Sequence, residues 1–257
     1  MTAPAQNSGA RLLKPLVITF GLLGVWQLAV LVSGAPAYIL PGPVRVFQAL
    51  VGHGLLLLDH ALVTLTEMLI GLLAGSVLGL LSALSLSWFR HLRGWLLPVL
   101  VISQAIPVFA LAPVLMLWFG FGMASKIVMT TLIIYFPVTA ACYDGLRHTD
   151  QGWLDLAAIL GADRRRQLLR IRLPAALPAL GSGLRVATSV APIGAVVGEW
   201  VGSSRGLGYL MLHANARMQV DLMFAALLVL ALLAVALYFL VDSGLRAAMP
   251  WQRVTLQ

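Results

Sequence analysis

Runs of about twenty apolar residues, broken only by short polar stretches, restrict this chain more than any other feature. Hydrocarbon offers no partner to a backbone N–H or C=O, so a run of that length is read as a membrane-crossing helix. Six segments qualify, at about 14–34, 61–88, 95–119, 124–143, 177–200 and 222–242. The 257 residues are 60% hydrophobic and 10% charged, with a mean hydropathy of +0.95; soluble domains carry roughly 25% charged residues. The expected fold is therefore all-α, a polytopic membrane protein of about six transmembrane helices. Residues 1–13 are expected to form a disordered lead-in, 14–248 the membrane domain and 249–257 a tail. Ala35-Pro36-Ala37 mimics a signal-cleavage site, but the apolar stretch Leu16–Val32 exceeds the roughly 7–15 residues of a signal core, so a retained anchor is expected.

The seventeen cations set an orientation. With the N-terminus in the cytosol, Arg11, Lys14, Arg90, Arg93, Arg147, Arg164, Arg165, Arg166, Arg170, Arg172, Arg246 and Arg253 all lie on the inner side. Arg45, Lys126, Arg205 and Arg217 lie outside, and Arg185 falls within the fifth span. Twelve against four places both termini in the cytosol by the positive-inside rule. The net charge of +8 is spread between apolar runs rather than gathered on one basic face, so no nucleic-acid partner is expected. Cys142, the one cysteine, excludes an intrachain disulfide.

Small and polar residues inside the spans suggest where helices meet. Gly71, Gly75 and Gly79 form a four-residue stripe in the second span, and Gly194, Gly198 and Gly202 form another in the fifth. Each lets a second backbone approach closely, within one bundle or between two copies. Proline interrupts the third span at Pro98, Pro107 and Pro113, the fourth at Pro137 and the fifth at Pro178 and Pro192, where kinks are expected. The stretch Ser103-Gln104-Ala105-Ile106-Pro107 is the best candidate for freed backbone lining a wet path, with a kinked packing helix as the alternative. Glu67, Arg185 and Glu199 stand out as ionisable residues inside the spans. Arg185 either snorkels to the cytosolic boundary or lines a pathway, and Glu199 either anchors the outer interface or helps form a gate. Ser103, Gln104, Pro107, Arg185, Ser189 and Glu199 are thus the candidate pathway residues.

One long polar stretch, 144–174, interrupts the apolar pattern with DGLRHTDQGWLDLAAILGADRRRQLLRIRLP. Its spacing predicts a short helix from about Trp153 to Leu160, stopped at Gly161. Ala157 and Ala158 give that helix a small face able to enter a groove on a partner, with Arg164, Arg165 and Arg166 around it. A second helix leads to Pro174 and the fifth span.

This stretch resembles the cytosolic loop of bacterial ABC-importer permeases, whose pattern is E-A-A, three residues, glycine, nine residues, then I-x-L-P. Asp155, Leu156 and Ala157 stand at the first three positions, followed by Gly161 and by Ile171, Leu173 and Pro174. Asp replaces Glu and Leu replaces the first Ala, which keeps the acid and adds bulk beside it. Ile106-Pro107, Leu111-Ala112-Pro113, Leu117-Trp118-Phe119-Gly120, Ser125-Lys126, Leu40-Pro41, Gly206-Leu207-Gly208-Tyr209 and Asp221 resemble the nitrate/sulfonate/taurine branch. Ala191–Trp200 and Ala214–Gln219 look most like permeases of hydroxymethylpyrimidine, a thiamine precursor.

The resemblance implies a type I, binding-protein-dependent permease working by alternating access in the bacterial cytoplasmic membrane. Its partners would be a second copy of the chain, two ATPase subunits and a substrate-binding protein, all at a lipid bilayer. Asp155, Leu156, Ala157, Ala158, Gly161, Ala162, Arg164 and Arg165 would couple to the ATPase. The chain has no G-x-x-x-x-G-K-[ST] phosphate loop, so ATP and Mg would belong to the partner and no cofactor to this chain. No metal cluster or nucleophile constellation is legible, and His53, His60, His91, His148 and His213 are read as scattered loop histidines, so a membrane-embedded enzyme is not expected. Two alternatives remain at this point: a sulfonate, taurine or nitrate cargo, and a proton-coupled carrier using Glu67, Glu199 or Arg185.

Overall fold

The computed structural model describes residues 8–103 and 106–251, and all regular structure among them is helical. Eleven α-helices follow in order: α1 (Ser8–Ser33), α2 (Pro43–Gly52), α3 (Gly54–Trp88), α4 (Arg90–Ser103), α5 (Val108–Phe119), α6 (Met123–Arg147), α7 (Gln151–Ile159), α8 (Arg164–Gln167), α9 (Leu173–Gly202), α10 (Leu207–Ala216) and α11 (Val220–Ala248). A π turn at Leu168–Arg172 joins α8 to α9. Among the described residues four helices are long and apolar enough to cross a membrane: Gly54–Trp88, Met123–Arg147, Arg164–Gly202 and Val220–Ala248. The Phe20–Ser33 part of α1 and the helix Val108–Phe119 are shorter apolar stretches.

Several boundaries differ from the sequence expectation for identifiable reasons. α1 starts at Ser8, so 8–13 is helical rather than a disordered lead-in; residues 1–7 and 252–257 lie outside the described residues. The third expected span is two helices, because Pro107 lacks an N–H and disfavours helical backbone at Ile106. Pro98, Pro113, Pro137, Pro178 and Pro192 interrupt nothing, and α4, α5, α6 and α9 continue through them. The loop's second helix is not separate from the fifth span. It runs on through the π turn, giving 39 continuous residues from Arg164 to Gly202. Such a helix is about 58 Å long, well beyond a hydrocarbon core of roughly 30 Å, so it must project past the apolar layer.

The bundle is organised around α6. Its row Lys126, Thr130, Ile134, Val138 and Cys142 repeats every four residues and is buried throughout. On one side the α3 glycines meet it: a Cβ at Gly71 would lie 2.6 Å from Thr130 Cγ2, and one at Gly75 would lie 2.7 Å from Ile134 Cγ2. On the other side α9 does the same, with a Cβ at Gly194 falling 2.8 Å from Thr130 Cα and one at Gly183 falling 2.6 Å from Ala141 Cβ. Thr130 is thus clasped between two glycines. Both stripes are used inside one chain, where small residues let backbones gain dispersion contact that lipid-facing leucines cannot supply. α11 closes the bundle through Ala225, Ala226 and Leu230 against Leu207, Leu210 and Val46, and through Leu237 against Ala187 and Ala191. α2, started by Pro43 at a position where a missing N–H costs nothing, lays Val46 and Ala49 into the same cluster.

Gly75→Leu is expected to push α3 off α6 and to destabilise the protein by roughly 1–3 kcal/mol through overpacking. Gly24→Leu, at a site with nothing within 4 Å, serves as the control. Thermal unfolding in detergent should show a lowered midpoint for the first variant and none for the second.

Candidate functional site

The polar stretch between α6 and α9 folds into a capped helix at one end of the bundle. Asp150 starts α7 by accepting from the Gly152 N–H at 2.7 Å, which satisfies one of the helix's free donors. Gly161, with φ +76, ends it. The Ala162 N–H reaches the Ala157 carbonyl at 2.8 Å and the Gly161 N–H reaches that of Ala158 at 3.0 Å, the paired bonds of a Schellman motif. Asp163 then opens α8 by accepting from the Arg166 N–H at 2.8 Å. The turn between the two helices is therefore fixed by backbone hydrogen bonding.

The outward face of α7 differs from the one expected. Ala157 is 7% exposed and packs inward with Leu154, because the Schellman turn folds the chain back over that side. The surface offered to a partner is instead large and apolar: Trp153, Leu156, Ile159 at 83% and Leu160 at 77% exposure. Asp155 and Ala158 are exposed beside them, with Asp155 held by the Gln151 amide at 2.9 Å. Arg165 is exposed and Ala162 half-buried. Arg164 points back to the bundle, donating to the Trp88 carbonyl at 2.6 Å, and so ties the loop to the end of α3.

At the opposite end of α9 the structure brings together residues from four helices. Glu67 is wholly buried, and Lys126 Nζ stands 3.2 Å from its Oε1 as an ion pair without a well-angled hydrogen bond. Lys126 also donates to Ser203 Oγ at 2.6 Å. Glu199, 1% exposed, is an electrostatic neighbour of Glu67 and accepts from Thr64 Oγ1 at 2.6 Å. Its other oxygen accepts from the Gly208 N–H and, at 3.4 Å, from that of Tyr209. The Leu207 N–H donates to Thr64 Oγ1 at 2.8 Å, and the Gly206 N–H to His60 Nδ1 at 3.0 Å. Every backbone donor that the start of α10 leaves free inside the bundle is thus met by a side chain of α3 or α9. A carboxylate there also complements the helix dipole. Gly206, with φ +114, is required: a Cβ would collide with the Glu199 carboxylate.

Two sequence expectations change here. His60 is a buried residue of α3, its ring stacked on Tyr209, not a loop histidine. Lys126, counted among the outer cations, is a buried residue of α6 paired with Glu67. Arg185 neither snorkels freely nor stands alone: its Nε lies 2.6 Å from Asp242 Oδ1, and Arg246 holds the other oxygen at 2.8 Å. Ser189 lies on a face of α9 that this chain leaves exposed, its hydroxyl donating to the Val186 carbonyl at 2.8 Å. Pro107 stands exposed at the head of α5. Gln104 and the side chain of Ser103 lie outside the described residues. Sequence reading missed Thr64, His60 and Asp242. The signal was present: His60, Thr64 and Glu67 continue the Gly71–Gly75–Gly79 face at helical spacing, and Asp242 precedes Arg246 by four residues.

Residues 75–254 match the family described as the binding-protein-dependent transport system inner membrane component. The chain belongs to this family. A probable ABC transporter permease of Haemophilus influenzae is 65% identical over 232 residues, 90% of this chain and 95% of that protein. The formylaminopyrimidine transport permease ThiX of Halalkalibacterium halodurans is 34% identical over 242 residues, 94% of this chain and 96% of its own length. In fold, a chain of the MetNI methionine ABC transporter, solved in inward-facing conformations, matches with a TM-score of 0.67 at 21% identity, over 76% of this chain and 97% of that one. The permease is an inner-membrane, multi-pass, non-catalytic subunit of an ABC importer, in the branch that includes sulfonate and taurine permeases. Family membership implies an ATPase and a binding protein as its partners.

Removing one member of a buried ion pair leaves the other uncompensated. Lys126→Met in this permease should destabilise it by roughly 3–5 kcal/mol, whereas the double variant Glu67→Gln/Lys126→Met should recover most of that loss. Thermal midpoints of the purified single and double variants in detergent check the pairing; equal midpoints would contradict it.

Proposed function

We propose that two copies of this permease enclose one pathway and that each docks α7 on a cytosolic ATPase subunit. ATP-driven closure of the ATPases moves the α7 helices, opens the pathway to a loaded binding protein, and hydrolysis returns it to the inward state. The single observation that carries the coupling role is α7 itself. It is a short helix capped at both ends, presenting Trp153, Leu156, Ile159 and Leu160 to solvent beside Asp155. A contiguous apolar face on a polar loop is the surface of a partner site. The cation distribution supports a cytosolic position for that loop and for both termini.

The face of α9 carrying Ser182, Val186, Ser189 and Ile193 is exposed in the single chain and supports a role against the pathway or the second copy. Arg185 and Glu199 enter this reading as positioning residues, since their charges are engaged by Asp242 and by α10. The cargo we propose is a hydroxymethylpyrimidine-type thiamine precursor. The similarity to a permease whose name specifies formylaminopyrimidine transport supports it, as do the resemblances at Ala191–Trp200 and Ala214–Gln219. A sulfonate, taurine or nitrate cargo is the alternative.

Ile159→Asp places a charge at the centre of the apolar face and is expected to weaken ATPase association by about 2 kcal/mol, near thirty-fold. The variant should fold normally and lose ATPase stimulation by the loaded binding protein; retained stimulation would contradict the docking role. The cargo is tested separately by identifying the ligand on the partner binding protein. A pyrimidine is expected there, and an alkanesulfonate, taurine or nitrate would overturn the substrate proposal alone.

A further inference from the structure

A second unusual region lies at the α7 end of the bundle but outside α7. A cavity of about 400 Å³ opens between the ends of α3, α4 and α6 and the start of the long α8–α9 helix. Arg93, Arg147, Arg164 and Arg172 line it, together with Trp88 and Tyr143, and among the described residues no carboxylate does. Among the described residues none of these four arginines takes part in an ion pair. Three are instead steered by aromatic rings. Arg93 and Arg147 stand 5.8 Å and 5.9 Å from the Tyr143 centroid, and Arg164 stands 5.4 Å from that of Trp88. Ring contact positions a guanidinium without consuming its in-plane N–H donors. Arg164 uses some of its capacity on the Trp88 carbonyl. The other three line the chamber, and guanidinium donors suit phosphate oxygens.

A smaller chamber of about 260 Å³ adjoins it and shares Leu86, Tyr143 and Arg147 with its wall. Its character is the reverse, with Leu100 of α4 and Phe136 and Ala140 of α6 facing it. Among the described residues Asp144 is the one acidic residue lining either chamber. Cationic and apolar compartments therefore meet at Tyr143–Arg147, close to the end of α6, where the chain leaves the apolar layer for the polar loop. Basic pockets between spans at the cation-rich membrane face are suited to anionic lipid headgroups. A free phosphate would satisfy the arginines and leave the apolar chamber unexplained. The ATPase would have to reach a site to which α7 contributes no residue.

We propose that the paired chambers bind an anionic phospholipid, with its phosphate among Arg93, Arg147 and Arg172 and an acyl chain against Leu100, Phe136 and Ala140. The bound lipid neutralises a set of arginines beside the root of the coupling loop and buttresses the junction where α3, α6 and α8 meet. The proposal rests on the α7 end lying at a membrane face, not on the identity of the cargo.

Native mass spectrometry of the permease–ATPase complex in zwitterionic detergent tests this, with dioleoyl phosphatidylglycerol and dioleoyl phosphatidylcholine as probes. Phosphatidylglycerol should be retained in preference to phosphatidylcholine, and millimolar sodium phosphate should fail to displace it. Arg147→Gln/Arg172→Gln should weaken its retention about thirty-fold, the scale for two arginines near an anionic headgroup, with phosphatidylcholine unchanged. Ala140→Trp, which fills the apolar chamber and keeps every arginine, should also weaken it and decides the matter if the double variant does not fold. Equal retention of both lipids, displacement by phosphate, or undiminished retention by either folded variant would overturn the proposal. So would exclusion of phosphatidylglycerol from the assembled complex, which would show the cavity to be filled by a subunit.

Discussion

The close approach of α3 and α9 to opposite sides of α6 is the contact on which the remaining structure depends. In lipid, apolar side chains gain nothing by leaving one hydrocarbon for another, so helices associate where backbones can come near. Gly71, Gly75, Gly183 and Gly194 remove the Cβ atoms that would hold them apart, and Thr130 is clasped from both sides. With those three helices fixed, α11 and α2 can add a second apolar cluster, and polar side chains deep in the bundle arrive within bonding distance of one another.

Polar side chains form two knots along α9, one near its C-terminal end and one near its middle. One joins Glu67, Lys126, Glu199 and Thr64 to the start of α10, so that the chain reversal after α9 is anchored by hydrogen bonds rather than by loop stiffness. The other joins Arg185, Asp242 and Arg246, and ties α9 to α11. Both sit on a helix that runs without a break from Arg164 to Gly202. On the proposed mechanism, displacement of α7 acts on one end of a rod whose far end carries Glu199. The rod transmits a rigid-body movement, and the Schellman turn at Gly161 together with the Arg164–Trp88 contact holds α7 firmly enough to drive it.

Much of this was legible in the sequence, and the gaps have physical causes. The apolar runs gave the long helices, and the four-residue spacing of glycine gave the packing faces, although spacing alone left open whether a face met its own chain or a second copy. The spacing Asp155–Gly161–Ile171 located the loop helix. It did not reveal that Ala157 turns inward, because that depends on how the Schellman turn folds back. Proline was over-read: Pro137 and Pro192 sit inside helices that run on through them, and of the span prolines only Pro107 coincides with a break. The burial of Lys126 was not legible because its partner, Glu67, lies 59 positions earlier, and hydropathy cannot show such a pairing. The π turn at Leu168–Arg172 and the cavity beside it had no sequence signal.

Cross-linking from α7 tests the central claim most directly. Cys142 is the one cysteine and is buried, so Leu160→Cys supplies a single reactive thiol on the outward face of α7. Phe47→Cys supplies one on the exposed side of α2, toward the opposite end. In membranes containing the partner ATPase, a bifunctional thiol reagent should join the ATPase to the Leu160 position, with a yield that changes when ATP is added, and not to the Phe47 position. No adduct at Leu160, or equal adducts from both positions, would contradict docking through α7.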